Sequence, residues 1–245
     1  MHRFFILPEC VDRDRIIISG RQAHQLKEVL RLKVGDQIIV LDDSGFEYQV
    51  KLVDIKNTSA IGEVAGRYPC PNEPSVEITL YQALLKSNKF DLVLQKCTEI
   101  GVVRFVPVIC ERCIAGSPSS SRIGHWQRII VEAAEQSGRG RIPNLHPVAG
   151  FEEACEGTDG FALLPWEGEE VLGIKAALGG WAFGDGNAKL SIFVGPEGGF
   201  SPQEVELARS RGIVPVTLGK RILRAETAGL VASAAILYEY GELGG

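Results

Sequence analysis

The feature that most constrains the fold is a change of period at a proline cluster, Pro69-Cys70-Pro71-Asn72-Glu73-Pro74. Three prolines in six residues stiffen the backbone and remove ladder donors, which is linker chemistry. Before the cluster, β-branched and aromatic residues come in short runs at 3–7, 15–19, 37–41, 46–53 and 59–64. Turn-formers separate them, notably Gly35-Asp36 and Asp42-Asp43-Ser44-Gly45. One helix is predicted over 21–31, where Leu26, Val29 and Leu30 fall at helical spacing. Five strands and a small helix predict a compact β-barrel over 1–68, with a linker at 69–75.

Beyond the cluster, strands alternate with helices. Strands are predicted at 76–84, 102–109, 161–164, 190–194 and 214–218. Helices are predicted at 88–100, 123–137, 169–178, 202–211 and 227–240, with Gly101 stopping the first and Gly138 and Gly140 the second. Alternation of this kind makes an α/β domain over 76–245, a mostly parallel sheet covered on both faces. Ligands of such sheets bind beyond the carboxyl ends of the strands, which points to the loops after Val194 and Leu218.

Charge and cysteine usage narrow the function classes. The chain of 245 residues carries a net charge of −5, but residues 146–245 hold fourteen Asp and Glu against seven Lys and Arg. The first 145 residues are therefore free to offer a basic face to RNA. No apolar run is long enough to span a membrane, and the N-terminal apolar run is too short for a secretory signal, so a cytoplasmic location is expected. Of six cysteines only Cys110-Glu111-Arg112-Cys113 are closely spaced. A zinc site needs two more ligands, and the nearest candidate is the lone His125, so no metal is expected. A redox pair belongs at a helix N-terminus, whereas this one follows a strand-like run. The plainer reading is reduced thiols packed as small hydrophobes.

Three stretches could carry chemistry. In the first, a strand runs into Gly195-Pro196-Glu197-Gly198-Gly199-Phe200 and then a helix start, with Ser201 as N-cap, Pro202 at the first position and Glu204 closing a capping box. Its glycines let backbone approach a ligand. The Walker spacing and lysine are missing, and Glu197 would repel phosphate, so a polar or cationic small molecule fits better; a ligand-free tight turn is the alternative. The second stretch, Leu218-Gly219-Lys220-Arg221-Ile222-Leu223-Arg224-Ala225-Glu226, sets three cations and two apolar residues before a helix of small residues. That pattern suits a pocket or interface, or a core helix behind a solvated loop. In the third, Glu132, Glu135, Gln136 and Arg139 recur every three or four residues and share much of one helical face. A solvated face with ion pairs is the competing reading there, as a structural role is for His24.

Taken in order, these pieces resemble the RsmE family of 16S ribosomal RNA uridine N3-methyltransferases in the SPOUT superfamily. The match runs from Arg3-Phe4-Phe5 through His24 to Asp36, Gln95 to Gly101, Trp126 to Arg139, Gly195 to Phe200 and Leu218 to Ala228, nearly the whole chain. It departs from the family at Lys220, where proline is common, and Ala225, where threonine is common.

The resemblance implies a PUA-like RNA-binding barrel followed by a SPOUT domain with a trefoil knot, paired as a homodimer. S-adenosylmethionine would be the cofactor, contacted by Leu164, Gly195, Pro196, Glu197, Gly198, Gly199, Leu218, Gly219, Ile222, Leu223 and Arg224. The partner would be 16S ribosomal RNA within the small ribosomal subunit. Arg3, His24, Arg31, Lys33 and Arg139 would contact RNA. Methyl transfer to uridine N3 requires loss of its proton and stabilisation of charge spreading onto O2 and O4, a task suited to guanidinium groups. Arg224 and Arg3 are expected in that role, with Glu132 or Glu226 as a base if burial favours it. Two alternatives remain: a non-catalytic RNA-binding protein with a vestigial fold, and a SPOUT enzyme acting on another base or on tRNA.

Overall fold

A computed structural model of the chain describes residues 1–12, 14–180 and 188–244. It divides into two compact units: Met1–Glu73 with Ala134–Ile142, and Pro74–Ala133 with Pro143–Gly245.

The first unit contains β1 (Arg3–Phe5), β2 (Val11–Asp12), β3 (Arg15–Ser19), α1 (Gly20–His24), β4 (Gln37–Leu41), β5 (Phe46–Ile55) and β6 (Ser59–Pro69). Its strands form one sheet in the order β1-β4-β5-β6-β3-β2, in which only β1 and β4 run parallel. Period-2 alternation places the core: β3 buries Ile16 and Ile18 and turns Arg15, Ile17 and Ser19 outward. Those two isoleucines pack with Phe4, Leu26, Ile38, Val40 and Leu52. Register shifts in the β5–β6 pair bend the long hairpin over that core.

Two local expectations change here. The strand predicted to stop at residue 64 continues to Pro69, which pairs with Phe46; a proline is tolerated at a strand terminus because the ladder no longer needs its donor. The helix expected over 21–31 is one α-helical turn followed by a π-helical stretch, Gln25–Val29, closed by the Leu30 N–H donating to the Gln25 carbonyl at 2.9 Å. Arg31 then takes a left-handed conformation at φ 54° and ends it.

The second unit contains β7 (Glu77–Ala83), α2 (Lys89–Ile100), β8 (Arg104–Ile109), most of α3 (Ser120–Ser137), β9 (Asn144–Leu145), β10 (Ala149–Gly150), α4 (Phe151–Glu156), β11 (Phe161–Pro165), α5 (Ile174–Gly179), β12 (Lys189–Val194), α6 (Pro202–Ser210), β13 (Val214–Val216) and α7 (Ala225–Glu239). The sheet order is β10-β8-β7-β12-β11-β13, with β9 beside β8, and every pairing is parallel. Central strands of such a sheet are apolar throughout, and β12 buries every residue after Lys189. Gly101 ends α2 at φ 116°, as a left-handed cap should. α7 packs small residues on the sheet; a Cβ on Gly229 would lie 3.2 Å from Gln82 Oε1 and 3.3 Å from Leu80, a tight approach that favours glycine. Among the described residues no helix is long and apolar enough to cross a membrane.

Sequence periodicity missed α4, β9 and β10 and placed the start of α5 too early. Residues 169–172 are irregular and Gly173 bridges to Thr217; the Glu169 carboxylate accepts the N–H groups of Val171 and Leu172, both at 3.0 Å, and competes with the helix.

The core of this unit is organised around Phe193 on β12. Its ring stacks on Tyr81 at 4.4 Å and 3°, and meets Phe151 edge-on at 6.1 Å; Phe151 in turn touches Phe200 at 5.4 Å. Truncating Phe193 to alanine should lower unfolding stability by about 3–5 kcal/mol, read by urea denaturation, because this close-packed region has little room to collapse.

Candidate active site

The glycine-rich turn after β12 is shaped by what lies beneath it. Phe200 is buried, and a Cβ on Gly195 would approach its ring to 3.2 Å, a tight contact that favours a bare backbone there. Gly199 adopts φ 68° and donates its N–H to the Pro196 carbonyl at 2.9 Å, closing the turn. The helix start then follows the expected capping box: the Glu204 N–H donates to Ser201 Oγ at 3.3 Å, and the Ser201 N–H donates to Glu204 Oε2 at 2.9 Å.

β11, β12 and β13 lie side by side and point their carboxyl ends the same way. A cavity of about 920 Å³ opens there. Its walls are the loop after β11 with Pro165 and Trp166, the glycine turn after β12, the loop from Thr217 to Ala225, and the side chains of Lys89 and Glu226. Trp166 can lie flat because residue 168 is glycine; a Cβ there would sit 2.4 Å from the indole. Among the described residues, five glutamates and four Lys or Arg residues line the cavity, a net of one negative charge. A site of this size, part apolar and part polar, suits a small organic ligand, and the charge excess favours a cationic one.

Lys89, at the first position of α2, links the two acidic elements of the wall. Its Nζ donates to Glu197 Oε1 at 3.1 Å and lies 3.7 Å from Glu226 Oε2. Glu226 Oε2 is itself buried with no hydrogen-bond partner, and the Glu226 side chain is 13% exposed. Burial alone would raise the Glu197 pKa; its own N–H, the Lys89 ammonium and the Lys86 N–H outweigh that and hold the carboxyl below the usual glutamate range.

Two family models match the chain, an RNA methyltransferase domain over residues 71–237 and an RNA methyltransferase PUA domain over 18–65. A ribosomal RNA small subunit methyltransferase E from Synechocystis is 36% identical, covering 96% of this chain and 77% of that protein. Its namesake in Bacillus subtilis is 29% identical over 98% and 97%. The crystal structure of a ribosomal RNA small subunit methyltransferase E from Neisseria gonorrhoeae bound to S-adenosyl methionine superposes with a TM-score of 0.86, at 31% identity and 98% coverage of both chains. The chain belongs to the ribosomal RNA small subunit methyltransferase E family.

For this member of the family, the structure distributes the sequence-derived residues unevenly. Gly195, Pro196, Glu197, Gly198, Gly199, Leu218, Gly219, Ile222, Leu223 and Arg224 all line the one cavity. Leu164 does not: its side chain is wholly buried in the core, and the next two residues reach the cavity instead. Glu132 is exposed on α3 and does not line the cavity, so the burial a base would need is missing there. Lys89 and Trp166 line it and were not anticipated, since tertiary contact brings them in and no local motif flags them; Thr217 lines it next to Leu218, at the strand end already singled out.

Within the first unit, His24, Arg31 and Lys33 are exposed. Arg3 is held by Glu47 at 2.9 Å and by the Gly138 carbonyl at 3.4 Å. Arg139, expected to face RNA, is instead 2% exposed, with Nη2 donating to Glu73 Oε2 at 2.9 Å. Glu73 also accepts the N–H groups of Gly140 and Arg141 at 2.9 and 3.1 Å. A guanidinium sunk in that network is a strut, with no donor face left for a phosphate. Arg139→Met should therefore destabilise the protein by about 3 kcal/mol, measured by denaturant unfolding, and leave the salt dependence of RNA binding unchanged.

Proposed function

We propose that the chain transfers the methyl group of S-adenosylmethionine to N3 of a uridine in the 16S ribosomal RNA of the small subunit. The observation that carries this reading is the cavity at the ends of β11, β12 and β13. Its bare glycine backbone, apolar walls and net negative charge fit a nucleoside that carries a sulfonium. The S-adenosyl methionine in the Neisseria relative supports the same choice of cofactor. When bound, the cofactor supplies an electrophilic methyl group next to a cationic sulfur.

The chain's own residues have three tasks. The glycine turn at 195–199 and the loop of Leu218, Gly219, Ile222 and Leu223 hold the cofactor, with Pro165 and Trp166 on the wall in place of Leu164. Arg224, exposed at the rim and preceding α7, offers a permanently charged fork to the uracil oxygens as N3 loses its proton. Glu226, steadied by Lys89, takes over the proton-accepting role first considered for Glu132, because it alone of the two faces the cavity.

Residues 1–68 act as the PUA-like RNA-binding barrel, 69–75 as the connection and 76–245 as the SPOUT domain with its trefoil knot. His24, Arg31 and Lys33 are the barrel's cations available to RNA; Arg3, engaged with Glu47, joins them by exchanging that carboxylate for phosphate. The enzyme works in the cytoplasm as a homodimer and uses no metal.

Incubation with labelled S-adenosylmethionine and unmodified small subunits should give labelled 3-methyluridine after digestion; label in another nucleoside would overturn the base assignment. Arg224→Ala should lower kcat by about 10²-fold while S-adenosylmethionine Kd, by calorimetry, stays within about twofold. Arg31→Glu and Lys33→Glu should weaken RNA binding regardless of sequence and reduce the salt slope by about one per lost phosphate contact.

A further inference from the structure

The Cys110-Glu111-Arg112-Cys113 turn follows β8 and takes no part in the proposed transfer. It is a hydrogen-bonded β-turn: the Cys113 N–H donates to the Cys110 carbonyl at 3.0 Å. Such a turn brings the two α-carbons within about 7 Å, inside the reach of a disulfide. The Cys110 N–H also donates to Cys113 Sγ at 3.3 Å, and as a thiol Cys113 donates toward the carbonyls of Leu84 and Val108 at 3.7 and 3.8 Å. Cys110 is buried and Cys113 half-buried, so Cys113 is the more accessible residue of the two.

The two thiols differ in acidity. The Cys110 thiol and the Cys110 N–H hydrogen-bond to Cys113 and lower its pKa to about 7, against opposition from burial and Glu204. The same thiol pairing and burial push Cys110 up. Burial also raises Cys97, and it pushes Cys155 up to about 12. A half-exposed thiolate beside a protonated neighbour is the arrangement of an attacking and a resolving cysteine.

The turn is also tied to the glycine loop. Arg112 Nη1 donates to the Gly198 carbonyl at 3.0 Å, and its Cβ would lie 3.3 Å from a Cβ on Gly198. The Glu111 N–H donates to Glu204 Oε1 at 2.8 Å, the carboxylate that caps α6. Residues 111 and 112 lie between the two sulfurs, so a disulfide there would constrain the stretch whose groups hold Gly198 and Glu204.

We propose that Cys110 and Cys113 form a reversible disulfide that loosens the glycine loop and weakens cofactor binding. The link rests on the cofactor reading above; the disulfide itself does not. Cys113 Sγ attacks one sulfur of a low-molecular-weight disulfide, whose S–S bond breaks and releases one thiolate. Cys110, its proton passing to solvent, then attacks Cys113 Sγ, forming the protein disulfide and releasing the second thiolate. The protein gives up two electrons and the small disulfide becomes two thiols.

The test uses the full chain with glutathione disulfide, followed by alkylation and peptide mass mapping, and calorimetry with S-adenosylmethionine before and after. The reduced protein binds first; failure at that step sinks the cofactor reading and is seen before any oxidation. Oxidation should then give a Cys110–Cys113 linked peptide, weaken binding by about fivefold or more, and be reversed by dithiothreitol. Cys113→Ser should bind as the reduced protein does and ignore the oxidant. Glutathione left on Cys113 alone, a link to Cys155, or a Cys110–Cys113 link with unchanged affinity would each overturn the proposal.

Discussion

The site hangs on an aromatic stack. Tyr81, Phe193, Phe151 and Phe200 run through the core beneath the ends of the parallel strands, and Phe200 is the surface on which Gly195 rests. Beneath the turn at 195–199 this floor adds to the Gly199-to-Pro196 bond that closes it, to the Arg112 contact with Gly198 and to the Lys86 and Lys89 contacts with Glu197. The floor also bears on the glycine at 195, since a Cβ there would press on the ring at 3.2 Å. A rigid base under a bare backbone lets main-chain groups hold a ligand without reorganising on binding, which is where affinity is otherwise lost.

Charge is arranged on the same scaffold. Three elements far apart in sequence, the start of α2, the turn after β12 and the start of α7, meet through Lys89, Glu197 and Glu226. The Lys89 ammonium keeps two carboxylates from repelling each other across the wall, and the cavity still retains a negative excess for a cationic ligand. Burial decides roles more strongly than residue type. Arg139 and Arg224 carry the same group, but the first is enclosed by Glu73 and serves the fold, whereas the second stands open at the cavity rim.

What could be read in the sequence was local. The capping box at Ser201 and Glu204, the left-handed cap at Gly101 and the strand–glycine–helix order around 195–199 are written within a few residues, and each appears as expected. The places where sequence reasoning failed depend on distant partners. Lys89 is an ordinary helix-start lysine until Glu197 and Glu226 are folded beside it. Arg139 shares a helical period with surface residues but lies just past the end of α3, where Gly138 redirects the chain toward Glu73. The π-helical stretch at 25–29 has the same apolar spacing as an α-helix, because the pattern marks which side is buried and says little about how the carbonyls pair.

The overall charge of −5 is no guide to the partner. The surplus acid sits in the second half of the chain, and five of its carboxylates, Glu167, Glu169, Glu170, Glu197 and Glu226, line the cavity. There they favour a cation over a phosphate. The exposed His24, Arg31 and Lys33 lie in the first 70 residues, where ten Lys and Arg, Arg31 and Lys33 included, meet ten Asp and Glu, so they do not sit in a uniformly acidic segment. Two binding tasks with opposite electrostatic demands, a sulfonium and a polyanion, are thus met by separating the charges along the chain, and the net value records only how the two demands sum.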